Sequence, residues 1–552
     1  MKNSFSVVVA LACAASVNAA QAQQSSEQSN IETVLVLGTK QAYRGQFEAL
    51  ETPQVDVELN QQLLQQAGAL DLNQALDLSA SVARQNNFGG LWNAFAVRGF
   101  VGDENLPSNY LVNGFNAGRG FGGSRDLSGV ESVEVLKGPR AALYGRGEPG
   151  GTVNLVTKRP TFDKSGSVEV AASRFNAIRT DVDYTTPLSS DLAIRLVGFY
   201  EDADSFRDTV KTRRIGASPS IAWRVNDRSE LIYEMEFSDQ EVPFDRGVLA
   251  VNDQLGAISR TTFLGEPGDG PMKAEVLGHQ LEYSYSFSDE WSVRLGYNSR
   301  DTELEGFSTE PELSGSRQLL YRDSETLTRQ RRYRHYDASY TVFRGELEGQ
   351  FQLGDAQHRI IIGLDSDDFE NDQVFRRVRS PSLASDPSLE QLQAINIFNP
   401  VYGQYVLPEP GPQADRVETQ ESTGIFFQDQ ISLSEAFQIR VGGRFDDYDQ
   451  RLVNRRSNST ATSSESRFSP QFGLVYRSSE TTSLYLSYGE NFRPLSGTDS
   501  QGNGFDPNQS VSLEAGVKFA MLDGGLDATI SVFRVQQENI LVVDDPSAFT
   551  YA

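Results

Sequence analysis

The sequence contains very little cysteine and histidine. One cysteine, Cys13, and three histidines, His279, His335 and His358, occur among 552 residues. Disulfide scaffolds, zinc clusters and thiol catalysis each need several such residues at close spacing. The sequence excludes these classes, and we expect neither a side-chain metal site nor a catalytic centre.

Long apolar runs and positive charge are also scarce. The longest nearly unbroken apolar run extends from Ser6 to Ser16, whereas a spanning helix needs about 20 mostly apolar residues. Lys and Arg number 49 against 75 Asp and Glu, which gives a net charge of −26. A helical membrane protein and a duplex nucleic-acid binder are therefore excluded.

The abundant residues are glycine and aromatics, with 47 Gly, 32 Phe, 20 Tyr and 3 Trp. Because such residues favour turns and strands over helices, this composition predicts an all-β chain. The length exceeds that of one compact soluble core, so we expect several domains or one large closed architecture.

The first residues are typical of a secretory signal peptide. Lys2 supplies the positive start, an apolar segment follows, and Ala20 and Ala22 provide a small-x-small cleavage site. We predict a signal peptide at 1–22, with cleavage before Gln23, followed by a flexible segment at 23–37.

The remaining chain divides into two regions. Residues 31–160 are rich in Gly and Asn and include one helix-like stretch, 70–78. Beyond Gly166, segments of roughly ten residues alternate apolar and polar side chains, as at Leu281, Tyr283 and Tyr285. We place the boundary at 161–165.

The connections distinguish a soluble sandwich from an outer-membrane barrel. Short turns are predicted at 188–191, 225–228, 288–290, 354–357 and 478–481, and long loops at 241–274, 309–332 and 372–418. This asymmetry is expected of outer-membrane barrels and favours one here.

The number of predicted strands indicates whether the barrel is complete. About 15 strands are predicted, whereas bacterial barrels usually close with an even number. The chain stops at Ala552, just after Asp544 and Asp545, and a lipid-exposed edge strand would leave backbone groups unsatisfied. We therefore expect a C-terminally incomplete barrel.

One long motif carries a resemblance to a known family. Residues 130–160 read VESVEVLKGPRAALYGRGEPGGTVNLVTKRP, preceded by FAVRGF at 95–100 and NYLVNGF at 109–115. This region closely resembles the plug domain of TonB-dependent outer-membrane receptors of the ferric-siderophore branch. In the second half, FSPQFGLVY at 468–476 and SYGENFRP at 487–494 are similar to the same family.

The resemblance implies the architecture and the compartment. It implies a transmembrane antiparallel barrel of about 22 strands, of which about 15 are present at 161–552, with a mixed α/β plug at 38–160 inside the lumen. The expected location is the outer membrane of a Gram-negative bacterium, where the monomer contacts lipid. It also implies a TonB box, the strand-forming handle pulled by the inner-membrane complex, at Glu32, Thr33, Val34, Leu35, Val36 and Leu37. An ordinary first plug strand is the alternative.

The resemblance further implies two sets of functional side chains. Arg98, Lys137 and Glu514 are expected to form a charge cluster that holds the plug in the barrel. Aromatic faces and an arginine can bind a large organic chelate, and the ligand-binding candidates are Phe88, Trp92, Asn93, Phe115, Arg119 and Phe121. Plain packing is the alternative for each candidate.

Two segments, 118–123 and 145–150, match the pattern G-x-G-x-x-G. Neither opens a helix, so a dinucleotide site is not predicted. We expect the first to form an adaptable loop near the ligand and the second to form tight turns.

The expected function is uptake of ferric siderophores, with TonB as a partner, no enzymatic activity and no cofactor, because the siderophore carries the iron. A receptor for cobalamin, haem or an oligosaccharide is an alternative in the same class. A secreted soluble β-rich adhesin or enzyme is the alternative from another class. A receptor that also signals to transcription would need an additional N-terminal domain.

Overall fold

A computed structural model describes residues 49–102, 106–138, 147, 149–252, 254–495, 504–521, 526–541, 543–545 and 550–551. The predicted signal peptide and TonB box lie outside these residues.

The first part of the described chain forms a small mixed domain, the plug. It begins with a 3-10 turn, Ala49–Glu51, and contains two helices, α1 (Gln61–Ala67) and α2 (Leu72–Leu76). Its strands are β1 (Val55–Asn60), β2 (Val82–Arg84), β3 (Phe95–Val97), β4 (Leu111–Val112), β5 (Phe115–Asn116), β6 (Val130–Lys137) and β7 (Gly151–Thr157). One sheet has the order β1-β6-β7-β4-β5, and β2 pairs with β3.

The helices differ from the single helix-like stretch predicted at 70–78. α2 covers only the middle of that stretch, and α1 was not predicted. Asn60 caps α1 by accepting a hydrogen bond from Leu63 N at 2.9 Å, and Gly68 ends it at a φ of 67°. The caps define α1, whose Gln-rich sequence has only a weak apolar pattern.

The plug has its own hydrophobic core. Strands β6 and β7 contribute fully buried side chains, which cluster with apolar residues of the two helices: Val133, Val135, Val153 and Leu155. Because this core is buried within the plug, many of the plug's remaining side chains at its boundary are polar or charged.

A second sheet of fifteen antiparallel strands follows within the described residues. In spatial and chain order, its strands are β8 (Ser165–Ser173), β9 (Ala177–Pro187), β10 (Leu192–Asp204), β11 (Lys211–Asn226), β12 (Ser229–Val242), β13 (Met272–Ser286), β14 (Trp291–Pro311), β16 (Arg329–Leu353), β17 (Ala356–Val378), β19 (Gly411–Ser432), β20 (Phe437–Asn454), β21 (Ser459–Ser479), β22 (Thr482–Arg493), β23 (Asn508–Met521) and β24 (Leu526–Glu538).

The connections alternate in length, as predicted. Short turns close one end of the sheet, for example 227–228, 354–355 and 480–481, whereas loops 243–271, 312–328 and 379–410 lie at the other end. These loops contain β15 (Thr326–Leu327), which pairs with β18 (Ile395–Asn396), the helix α3 (Leu320–Asp323), and the 3-10 turns Pro267–Asp269 and Leu383–Ser385. A last pair, β25 (Val543–Asp545) and β26 (Thr550–Tyr551), follows β24.

The two faces of the large sheet differ in polarity. Leu364, Ile425, Phe445 and Phe468 are direct neighbours on four adjacent strands, and each is 47–60% exposed on the outer face. On the inner face, Arg444 of β20 is buried in ion pairs with Asp446 of its own strand and with Asp365 of β17, two strands away. An apolar outer band with a polar interior is the pattern of a lipid-embedded barrel.

Within the described residues, no helix has both the length and the apolar character needed to span a bilayer. The architecture confirms the predicted fold class, a mixed α/β plug combined with a large antiparallel sheet.

Candidate functional site: the plug and the inner face of the sheet

The large sheet surrounds the plug. Contacts to plug residues come from one side of the sheet, where Arg195 of β10 donates to Arg159 O at 2.9 Å. They come equally from its middle, where Arg344 of β16 donates to Gly114 O at 2.9 Å. At the other side, Lys518 of β23 donates to Ala49 O at 2.7 Å. The inner face therefore encloses the plug along most of the sheet.

Asp126 is at the centre of the first ion-pair cluster between plug and sheet. Its carboxylate lies 2.8 Å from Arg179 Nη1 and 3.6 Å from Arg214 Nη2, and both arginines also bind Glu201. Burial would raise the pKa of Asp126, but the hydrogen bonds from Arg179 and the charge of Arg214 hold it below its ordinary value. Asp126 is therefore the carboxylate through which the plug binds the arginines of β9 and β11.

Two plug arginines form the second set of anchors. Arg125 pairs with Glu236 of β12, which also accepts from Arg300 of β14 at 2.8 Å. Arg159 lies 2.9 Å from Glu282 of β13. Because the partners are carboxylates on the inner face, the plug is attached here by charge.

The predicted cluster of Arg98, Lys137 and Glu514 is only partly assembled by direct contacts. Arg98 Nη1 lies 2.7 Å from Glu514 Oε2, and the two side chains are 2% and 0% exposed. Lys137 Nζ instead donates to Ala80 O at 2.6 Å. Burial, with a further contribution from the charge of Arg98, lowers the pKa of Lys137. Arg98 and Glu514 therefore join plug and sheet directly, and Lys137 makes its hydrogen bond within the plug.

The start of the plug is held near the short-turn end of the sheet. Gln430 Nε2 donates to Glu51 O at 2.9 Å, and the Glu51 carboxylate lies 3.3 Å from Arg359 Nη1. Lys518 Nζ also donates to Thr52 Oγ1 at 2.8 Å. These contacts form an N-terminal latch on β17, β19 and β23.

Three of the predicted ligand-binding residues meet in one aromatic cluster. Ring centroids lie 4.9 Å apart for Phe88 and Trp92 and 5.5 Å apart for Trp92 and Phe121. Phe244 of the 243–271 loop stacks on Phe88 at 5.1 Å, and Tyr336 of β16 contacts Phe121 at 4.9 Å. The plug and the loop side of the sheet therefore share this cluster.

The other three candidates lie elsewhere. Arg119 packs over the rings of Tyr340 and Phe369 and lies 3.5 Å from Asp367. Phe115 packs in the same region, against Tyr340 and Val342. Asn93 is buried, and its Oδ1 accepts from Arg125 N at 3.2 Å. Their ligand-binding role stays a prediction.

The glycine-rich segment 118–123 is closely packed, which differs from the adaptable loop expected from the sequence. A Cβ on Gly120, which has a φ of 78°, would lie 2.1 Å from Thr302 Oγ1. A Cβ on Gly122 would lie 2.6 Å from Val276 Cγ2. The glycines let the plug backbone approach β13 and β14. The second segment, 145–150, lies mostly outside the described residues.

Sequence reasoning missed a group of arginines above the aromatic cluster. Glu310 of β14 lies 2.6 Å from Arg246 Nε, 2.8 Å from Arg334 Nη1 and 3.3 Å from Arg332 Nη1. Arg246 and Arg334 also pack over the Phe244 ring, at 5.5 and 4.5 Å. The segment 329–335, RQRRYRH, is a basic run in an acidic chain and was the available signal.

The long loops pack together above this group. Arg329 is 2% exposed, and its guanidinium donates to Gln393 O at 2.7 Å and binds Glu266 at 3.1 Å. One apolar cluster joins loops 243–271, 312–328 and 379–410, and Leu264, Leu327 and Ile397 belong to it. The loops thus form a cap at the loop end of the sheet.

One histidine has ligand-like neighbours. His335 Nε2 lies 3.3 Å from both Glu303 Oε1 and Asp337 Oδ2. Such side chains can bind a metal ion, but these three project from the outer face of β14 and β16, away from the plug. They are therefore separate from this site.

Two family models match the chain. "TonB-dependent Receptor Plug Domain" matches residues 48–152, and "TonB dependent receptor-like, beta-barrel" matches residues 216–552. The two matches correspond to the plug and to most of the large sheet.

Curated relatives match over most of the chain. The metal-pseudopaline receptor CntO of Pseudomonas aeruginosa is 33% identical over 516 residues, which cover 92% of this chain and 70% of the relative. The ferrioxamine B receptor of Salmonella typhimurium is 27% identical, with coverage of 90% and 69%.

Solved structures show the same fold. The siderophore receptor PiuA from Acinetobacter baumannii superposes with a TM-score of 0.81 at 20% identity, covering 91% of this chain and 75% of the other. Because the matches agree in domain order and cover most of the chain, the protein belongs to the TonB-dependent receptors, transport proteins of the Gram-negative outer membrane.

Proposed function

We propose that the protein binds a ferric siderophore at the cell surface and releases it inward when TonB pulls on its N-terminal segment. The observation that carries this proposal is the plug, which fills the inside of the sheet and is attached to it by separate ion pairs such as Arg98–Glu514 and Asp126–Arg179. A plug attached in this way blocks passage and must be displaced by work. Phe88, Trp92 and Phe121 lie on the side of the long loops but are only 0–3% exposed, so the aromatic cluster itself presents no open ligand surface.

The names of the relatives agree with a metal chelate as cargo. One is a receptor for metal-pseudopaline and another for ferrioxamine B. The iron would arrive inside its organic ligand, so the receptor needs no resident cofactor. Binding needs shape and charge complementarity, and no covalent chemistry takes place.

The N-terminal latch suggests how force is applied. Residues 32–37, the predicted TonB box, precede the latch at Glu51 and Thr52 by fewer than 20 residues. A pull on the box would therefore load the hydrogen bonds of Gln430 and Lys518 first. Released in sequence, these contacts would transmit the force to β1 and the plug sheet.

Deletion of residues 32–37 tests the proposal. In iron-starved cells we expect surface binding of radioactive ferric siderophore to persist and its uptake to stop. The matched control deletes residues 24–29, an equal length of the predicted polar tail, and should leave uptake intact. Unchanged uptake without residues 32–37 would contradict TonB coupling through this segment.

A further inference from the structure

Buried arginines are concentrated around Glu310 of β14. Arg246, Arg332 and Arg334 share the single carboxylate of Glu310, which is 1% exposed. The ordinary ratio in an ion pair is one to one. In a chain with a net charge of −26, a concentration of buried arginines around one carboxylate is a costly arrangement.

The register of the sheet adds a fourth arginine to this group. Arg332 of β16 lies directly opposite Arg377 of β17 on the inner face. Like charges in directly opposed positions destabilise a strand pair. Arg377 forms no ion pair with the residues that the structure describes, and Arg332 Nε and Arg377 Nε are both buried without a hydrogen-bond partner among them. Both guanidinium groups therefore retain donors for another anion.

Aromatic rings support the arginines from below. The guanidinium of Arg334 lies 4.5 Å from the Phe244 ring centroid and 5.6 Å from that of Phe375, and Arg332 lies 5.7 Å from Phe375. Stacking of this kind fixes the plane of a guanidinium and leaves its edge available for a bidentate contact. Phe244 in turn stacks on Phe88 of the aromatic cluster. We name Arg246, Arg332, Arg334, Arg377 and Glu310 the arginine well.

We propose that the arginine well selects a metal chelate with free carboxylate groups and a net negative charge, and that Arg332 and Arg377 bind those carboxylates. The inference rests on the proposed function and specifies the charge class of its ligand. Glu310 keeps part of the well neutral before binding, and a ligand carboxylate between Arg332 and Arg377 removes their mutual repulsion. Neutral and cationic chelates gain nothing from these groups and must remain near unpaired positive charge.

Three ferric probes of different charge test the proposal. Iron(III) citrate is anionic with free carboxylates, ferrichrome is a neutral trihydroxamate, and ferrioxamine B is a trihydroxamate with a pendant ammonium group. Quenching of tryptophan fluorescence in the full protein in detergent gives the dissociation constants. We expect iron(III) citrate to bind most tightly, with affinity that falls as salt is raised.

Variants of the arginine well test whether the order of affinities for the three probes depends on named residues. Arg332→Gln and Arg377→Gln should each weaken iron(III) citrate binding by about tenfold or more, in keeping with the loss of a charge-assisted contact, and should leave ferrichrome within about twofold. Arg332→Lys keeps the charge and should lose less. The matched control is Arg376→Gln, because Arg376 is exposed on the outer face of β17, the strand that carries Arg377, and packs over Tyr333 of β16. Mobility in unheated gels shows that each variant is folded.

The possible results separate this inference from the proposed function. Tighter binding of ferrichrome or ferrioxamine B than of iron(III) citrate would overturn the inference and leave the siderophore receptor standing. The inference would also be overturned if Arg332→Gln and Arg377→Gln left the order of affinities for the three probes unchanged. It would be overturned as well if the control Arg376→Gln weakened iron(III) citrate binding equally. Absence of iron(III) citrate binding would also overturn the inference, whereas the proposed function is tested separately by the uptake experiment with residues 32–37 deleted.

Discussion

The Glu514 carboxylate shows how one side chain can hold two parts of the molecule together. It binds Arg98 of the plug at 2.7 Å, accepts from Tyr485 of β22, and is 1% exposed. Taking these charges out of water is costly, so such a pair contributes more to attachment at one position than to net stability. The pair holds plug and sheet together only while both charges are present, because either charge alone would be buried without a partner.

Removal of one partner should therefore be costly. Glu514→Gln leaves the Arg98 guanidinium buried without a counter-charge, and we expect a loss of about 3–5 kcal/mol in the free energy of unfolding. Denaturant titration in detergent measures it, with Glu58→Gln, at an exposed position of β1, as control. Addition of Arg98→Gln should recover part of the loss, whereas simple additivity of the two changes would contradict a coupled pair.

Asp126 gives a pH dependence with a defined sign. Its pKa lies below the ordinary value because Arg179 and Arg214 outweigh the effect of burial. The stabilisation by its charged form is therefore complete above the ordinary carboxyl pKa of about 4 and is lost as pH falls through the lower folded-state pKa. Asp126→Asn should reduce the free energy of unfolding by about 3 kcal/mol at pH 7.

The difference between Asp126→Asn and the parent protein should shrink as the pH is lowered below about 4. Asp163→Asn, at an exposed position, should show neither effect. A difference independent of pH would mean that the side chain acts by shape alone.

At the scale of elements, strands and turns were predictable, whereas contacts between distant segments were not. The alternation at Leu281, Tyr283 and Tyr285 predicted β13, because one face of the strand has apolar surroundings and the other has polar ones. The plug residues Phe88, Trp92 and Phe121 were identified through resemblance, but Phe244 and Tyr336 come from loops and strands whose approach no local pattern encodes. The arginine well was missed for the same reason.

The glycine-rich segment 118–123 is the element whose packing can be tested directly. Gly120→Ala adds a Cβ at a φ of 78°, 2.1 Å from Thr302 Oγ1. Gly68→Ala adds one at a φ of 67° with no neighbouring atom within 4 Å. Backbone strain costs both variants about 1–2 kcal/mol, so the additional loss in Gly120→Ala measures the contact of the plug with β14. Equal losses in thermal unfolding would show that this contact is loose.

For the whole molecule, the decisive property is the apolar outer band. Ile425 is 60% exposed and has Leu364 and Phe445 as direct neighbours, so a lipid environment explains its exposure. Ile425→Arg should reduce stability in liposomes by about 2–4 kcal/mol. Thr423→Arg, on the same face of β19 but opposite Asp447, should cost much less, and equal costs would argue against a lipid boundary at Ile425.

The central claim is that cargo passes only when the plug moves relative to the sheet, and a reversible cross-link tests it most directly. A Cβ on Gly129 of the plug would lie 3.8 Å from Ser218 Cβ on β11, a separation that suits a disulfide. The chain has one other cysteine, Cys13 in the predicted signal peptide. In cells that carry Gly129→Cys and Ser218→Cys together, we predict normal binding of ferric siderophore, no uptake under oxidising conditions and full uptake after reduction. Undiminished uptake with the disulfide formed would contradict the account.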